Sequence, residues 1–168
     1  LLKRVEDFVD QGNVIIFCNQ KDRVEEIHLL LTTKISRLGM LHGDMDQGTR
    51  MKQISQFKSG AIHVLVATDI AARGLDIDTL QVVINFDMPK ELNQYIHRVG
   101  RVGRGENKDG EAYSLLLPNE HRQAVYVVKY LEESGAQVPE YVSNLVQRHS
   151  KKRAANVWTS SKHKGSQD

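Results

Sequence analysis

A single cysteine, Cys18, in 168 residues leaves no partner for an internal disulfide and excludes a cysteine-based zinc site. No apolar run approaches membrane-spanning length, and the start shows no signal-peptide pattern. The seven histidines are scattered without metal-ligand spacing, and neither a G-x-S-x-G elbow nor an H-E-x-x-H motif occurs. Hydrolysis by a nucleophile or metal of this chain's own is therefore not expected. Aromatic residues are 6% of the chain, and Phe17, Phe57 and Phe86 read as core residues, which argues against a base-stacking platform. A formal net charge of +2 is too small to mark a nucleic-acid binder, so any basic footprint must be local.

What is present is ordinary globular material, 40% hydrophobic and 26% charged, enough for one domain with a real core. Short apolar, β-branched runs at 13–18, 38–42, 62–68, 81–86 and 111–117 alternate with helical patterns at 21–34, 46–60 and 120–135. Near-continuous apolarity in the runs fits strands covered on both faces. Val24, Ile27 and Leu31, then Met51, Ile54 and Phe57, carry the helical spacing, and Gly135 suits a C-terminal cap. Strand–helix alternation of this kind predicts an α/β open, mainly parallel sheet with helices on both faces. The opening "LLKRVEDFVD" is amphipathic and lacks an initiator methionine, which gives the expectation of a piece cut from a longer protein.

Ligands of such sheets gather beyond the carboxyl ends of the strands. The segments in that position are "NQK", "GDMDQGTR", "DIAARGLDID" and "DMPKELNQYIHRVGRVGR", rich in Gly, Asp, Gln and Arg. Gly43 and Gly48 have phosphate-loop spacing, but Thr49 and Arg50 stand where that loop needs Lys and then Ser or Thr. Without a nucleotide loop, Asp69 has no metal–phosphate to serve, and its expected role is at a helix N-terminus. In "HRVGRVGRG", Arg98, Arg101 and Arg104 recur every third residue, so they can form one basic ridge. Gly100 and Gly103 each cost a helix about 1 kcal/mol against alanine, which points to a close approach by another surface or ligand. Guanidinium forks match phosphate oxygens. Phosphate recognition is the leading reading and a disordered Arg/Gly-rich segment the rival. The apolar lead-in of Leu92, Tyr95, Ile96 and Val99 favours a docked segment.

Taken in order, "VIIFCNQK", "HGDMDQGTRMKQISQFKSG", "VLVATDIAARGLDI" and "HRVGRVGRG" resemble motifs IV to VI of the DEAD-box RNA helicases, across roughly residues 1–147. The resemblance implies a C-terminal RecA-like domain at 1–149 followed by a basic tail at 150–168. It implies that Arg101 and Arg104 reach the γ-phosphate of ATP, that Asp76 touches its ribose, and that Mg2+ and most of the nucleotide are held by an N-terminal RecA-like domain. It implies RNA-backbone contacts at Gly43, Gln47, Arg50, Thr68, Arg73 and Gly74, and contacts between domains at His97 and Arg98. The implied partners are RNA, gripped without sequence preference, the protein's own first domain and protein cofactors. The implied setting is RNA processing inside the cell, in nucleus or cytoplasm, away from membranes. Val102 departs from the family's usual Thr, a lost hydroxyl worth about 1 kcal/mol if it removes a hydrogen bond.

The expected activity is that of an RNA-stimulated ATP hydrolase and helicase in the full-length protein, with this chain inactive by itself. A non-catalytic RNA-binding or scaffold module is the alternative, and a DNA-directed helicase a third reading. For the tail, "KKR" leaves open a solvated end, a weak RNA-phosphate grip and a nuclear-import signal. If the tail grips phosphates, deleting residues 150–168 weakens RNA affinity of the intact enzyme at low salt and spares folding; unchanged affinity and salt slope reject it.

Overall fold

The computed structural model describes Val5, Asp7, Phe8 and residues 12–72, 80–103 and 110–148. Residues up to Leu115 form one compact unit and those from Leu116 another.

In the first unit the apolar runs become strands because they can bury both faces. Every residue of β1 (Asn13–Cys18) and of β3 (Val64–Thr68) is buried. With β2 (Leu38–Leu41), β4 (Leu80–Asn85) and β5 (Glu111–Ser114) they make an all-parallel sheet in the order β2-β3-β1-β4-β5. Ile16 at its centre is in register with Val66 on one side and Ile84 on the other. Side chains alternate across a strand. Val14, Ile16 and Cys18 therefore pack with Val24, Ile27 and Leu31 of α1 (Lys21–Thr32), and Ile15 and Phe17 with Phe57 of α2 (Gln47–Lys58) on the other face. The two edge strands are four residues long and partly exposed.

The departures from sequence expectation have local causes. The β3 strand starts at Val64 rather than Ile62, where His63 and Val64 N–H both donate to Arg37 O. The β5 strand stops at Ser114 because its neighbour β4 ends at Asn85, whose carbonyl takes one further bond from Leu115 N–H. Asp46 lies outside α2 and caps it, its Oδ1 accepting from Thr49 N–H at 2.9 Å. That bond holds the Asp46 carboxyl below its ordinary pKa. Met51 is 57% exposed instead of core, so α2 is anchored by Phe57, fully buried, with Ile54 half-buried. Short helices α3 (Asp69–Ala72) and α4 (Leu92–Val99) follow β3 and β4.

The second unit contains α5 (His121–Glu133), which buries Ala124 and Val127, and a helical stretch at 140–148 that the sequence reading did not include. Gly135 sits after α5 at φ 71, the left-handed conformation expected of its cap.

Phe57→Ala should cost about 3–5 kcal/mol, because it empties the contact that seats α2 on the sheet. Urea unfolding checks this; a midpoint unchanged at constant slope would contradict it.

Candidate functional site

All strands run the same way, so their carboxyl ends share one edge of the sheet, as the sequence reading required. Asn19 follows β1, Asp69 follows β3, Asn85 ends β4, and Asp87 stands two residues on. One side chain from α4 enters this gathering of acceptors. Arg98 is 1% exposed and its guanidinium lies 5.0 Å from the Phe17 ring centroid. Its Nε and Nη2 donate to the two Asp69 carboxylate oxygens, both at 2.7 Å. Its Nη1 donates to Asp87 O at 2.7 Å and Asn85 Oδ1 at 3.3 Å, and Nη2 also donates to Asn19 Oδ1 at 2.8 Å. Those bonds use all five donors of a guanidinium.

The acceptors are themselves held. Asn19 N–H donates to Asp87 Oδ2 at 3.0 Å, Asn19 Nδ2 to Met88 O at 2.9 Å, and Asn85 Nδ2 to Ser114 Oγ at 3.0 Å. Beneath them, burial pushes the Cys18 thiol up to about 12, with the Asp87 charge adding to the shift, so it stays neutral and unreactive.

Two readings of single residues are corrected by this arrangement. Arg98 does not join Arg101 in an exposed ridge; its donors are consumed within its own unit. Asp69 does open a short helix, but its carboxylate is committed to Arg98 rather than to helix N–H groups. The glycines also have intramolecular reasons. A Cβ on Gly100 would lie 2.9 Å from Ile96 O, and Gly103 has φ 71, which favours glycine whatever the space.

Beside the Arg98–Asp69 pair opens a pocket of about 190 Å³, lined by Phe17, Ile70, Ala72, Gln94, His97 and Arg101. His97 is exposed on α4 and Arg101, half-buried, follows its end. Arg73, Gly74, Asp76 and Arg104 lie outside the described residues. At the neighbouring ends of β2 and β3, Gly43 is exposed in the turn after β2, Gln47 opens α2, and Thr68 ends β3 with 9% exposure. Arg50 is half-buried in the first turn of α2, its Nε buried without a hydrogen-bond partner among the described residues. Lys21, at the start of α1, pairs with Asp44 in the turn after β2, which raises the Lys21 pKa and lowers that of Asp44. Among the described residues, no group of three or more His, Cys, Asp or Glu is placed to hold a metal. No helix among them is long and apolar enough to cross a membrane.

Residues 1–106 match the helicase conserved C-terminal domain. Over 154 residues the chain is 45% identical to the DEAD-box ATP-dependent RNA helicase 24 of Oryza sativa subsp. japonica, covering 92% of this chain and 20% of that protein. The E. coli DEAD-box protein SrmB, solved with regulator of ribonuclease activity A, is 37% identical with TM-score 0.65, covering 78% of this chain and 77% of that one. This chain belongs to the DEAD-box RNA helicases. The yeast DEAD-box splicing factor Prp28 shares the fold at TM-score 0.75 and 29% identity, over 86% of this chain and 33% of that one. The five-stranded parallel sheet is thus the RecA-like C-terminal domain of a DEAD-box helicase, and the chain spans 20% or less of the length of the curated relatives it matches.

Within this helicase domain, sequence reading missed Asn19, Asn85 and Asp87 as the acceptors that seat Arg98. The available signal was position: each stands at or just beyond the carboxyl end of a central strand, where a parallel sheet gathers such residues. Val102 is half-buried against the cluster containing Ile15, Phe17 and Phe57, surroundings that suit an apolar side chain.

Arg98→Lys should destabilise the domain although it keeps the charge. An ammonium has three donors, so at least two of the acceptors lose their partner, at about 1–3 kcal/mol each. Denaturant unfolding reads the loss; a lysine variant within about 0.5 kcal/mol of the parent would show that the fork geometry is irrelevant.

Proposed function

We propose that this domain is the second lobe of an ATP-dependent RNA helicase, lending cationic side chains to a nucleotide that the first lobe binds. The observation that carries the reading is the division of labour between neighbouring arginines. Arg98 is saturated inside the domain and fixes the end of α4, while Arg101, three residues on, lines the open pocket. A pocket of about 190 Å³ is smaller than the roughly 300–1,000 Å³ typical of small-molecule sites, so it does not enclose a nucleotide by itself. It presents a cation to a phosphate delivered from elsewhere.

Phosphoryl transfer is accelerated chiefly by positive charge placed where the transition state gathers negative charge. In this reading Arg101 and Arg104 supply that charge at the γ-phosphate, Asp76 accepts from the ribose, and His97 meets the first lobe. ATP and Mg2+ are held by that lobe, and the metal neutralises charge on the phosphates. Gly43, Gln47, Arg50, Thr68, Arg73 and Gly74 form this lobe's half of an RNA-backbone groove. Short donors on adjacent strand ends suit a sugar–phosphate track, which fixes position without reading sequence. ATP and single-stranded RNA draw the lobes together, complete the ATP site and bend the strand, so that a short duplex separates locally. By itself the domain hydrolyses nothing.

Arg101→Ala in the full-length protein should lower RNA-stimulated kcat by about 10³-fold or more while ATP affinity changes only a few-fold. Single-turnover hydrolysis and nucleotide titration measure the two quantities; turnover within threefold of the parent would overturn the reading.

A further inference from the structure

Gly43 stands in the turn after β2 with its α-carbon open to the outside. A Cβ there would meet no described atom within 4 Å, and its φ is not among the positive ones. Packing and backbone conformation therefore leave room at this position, and something outside the domain can approach the bare backbone closely. The turn is weakly held from within. Met45 N–H reaches His42 O only at 3.4 Å, and His42 N–H is left to the Met45 sulfur, a poor acceptor.

A brace comes from α1. Lys21 and Glu25 are one helical turn apart and so share a face. Against them stand Asp44 and His42, the residues on either side of Gly43. Lys21 Nζ pairs with Asp44 Oδ2, and His42 Nε2 lies 3.5 Å from Glu25 Oε1. The His42 ring is buried, and its Nδ1 has no hydrogen-bond partner among the described residues. A proton on Nδ1 would leave a buried donor unmet, so the proton belongs on Nε2, facing Glu25. The same turn then runs into Asp46, which caps α2 through Thr49 N–H.

We propose that the start of α1 clasps the Gly43 turn, and that Lys21 and Asp44 are positioning residues for RNA-backbone binding which touch no phosphate themselves. The inference rests on the reading of Gly43, Gln47 and Arg50 as part of an RNA groove. The Lys21 and Asp44 side chains are 52% and 62% exposed, so their pairing adds little to folding stability. Its effect falls on the turn instead. A turn already held in its bound shape loses less conformational freedom when a strand arrives. A lysine matched by a carboxylate also adds less net charge to the groove than a bare one, so the pair is better suited to holding shape than to attracting RNA.

The test uses the full-length protein with ATP and single-stranded RNA, in two double variants that keep the parent's net charge. Lys21→Ala with Asp44→Ala removes the pair; Lys21→Glu with Asp44→Lys reverses it. Without the pair, the RNA concentration for half-maximal ATPase stimulation should rise about threefold at low salt, and RNA affinity should fall in parallel. Turnover at saturating RNA and thermal unfolding should stay as in the parent. The reversed pair should bring affinity and half-stimulating concentration back.

Unchanged RNA affinity in the double alanine variant would overturn the clasp. So would a reversed pair that binds more weakly than the double alanine variant, because Lys21 would then be a direct phosphate contact. Gly43→Ala separates the layers, since its added methyl has room within the domain but stands in the path of a strand. If Gly43→Ala weakens RNA binding while the double alanine variant behaves as the parent, the clasp fails and the groove reading stands. If Gly43→Ala binds RNA as the parent does, the groove reading itself fails.

Discussion

The guanidinium of Arg98 ties the carboxyl ends of β1, β3 and β4 into one arrangement, and the position of every other site residue near them depends on it. Taking such an ion out of water costs several kcal/mol, and a single carboxylate rarely offsets that. Here the carboxylate is met by two parallel bonds, and three neutral oxygens take the remaining donors. The Phe17 ring contributes a further favourable face. The Asp69 side chain is 32% exposed, so part of its attraction is screened by solvent. The arrangement is thus more a device for fixing geometry than a large net source of stability.

That fixed geometry divides the sheet's edge into two working regions. On the β1, β3 and β4 side, α4 is pinned at Arg98, and the residues flanking that pin, Gln94, His97 and Arg101, stand around an open pocket. On the β2 side, a turn and a capped helix bring Gly43, Gln47 and Arg50 beside Thr68. Asp69 and Thr68 are adjacent in the chain, one in each region. In the proposed two-lobe reading, a displacement at Thr68 is one residue away from Asp69, the anchor of the arginine segment, a short mechanical path between RNA and nucleotide.

Much of this was readable before any coordinates. The buried strands β1 and β3 announced themselves as unbroken apolar runs, and parallel pairing followed from the helices between them. The convergence of loops at one edge followed in turn. What spacing could not show was direction. A three-residue repeat places arginines near one another only while the helix continues, and α4 ends at Val99, just after Arg98. Arg98 therefore turns inward, and Arg101 falls beyond the helix at the pocket. Met51 failed as a core residue for a related reason: periodicity marks a stripe, but the width of the stripe is decided by what faces it. The helical stretch at 140–148 carries Val142, Leu145 and Val146 at helical spacing, but it spans little more than two turns, and the sequence reading passed over it.

The central claim is that one arginine of the repeat is fully engaged within its own domain. Nitrogen-15 spectra of the arginine side chains at neutral pH test it most directly. The account predicts a resolved Arg98 Nε–H that exchanges slowly with water, and Nη protons split by hindered rotation. A rapidly exchanging Nε–H with a single averaged Nη signal for Arg98 would contradict it.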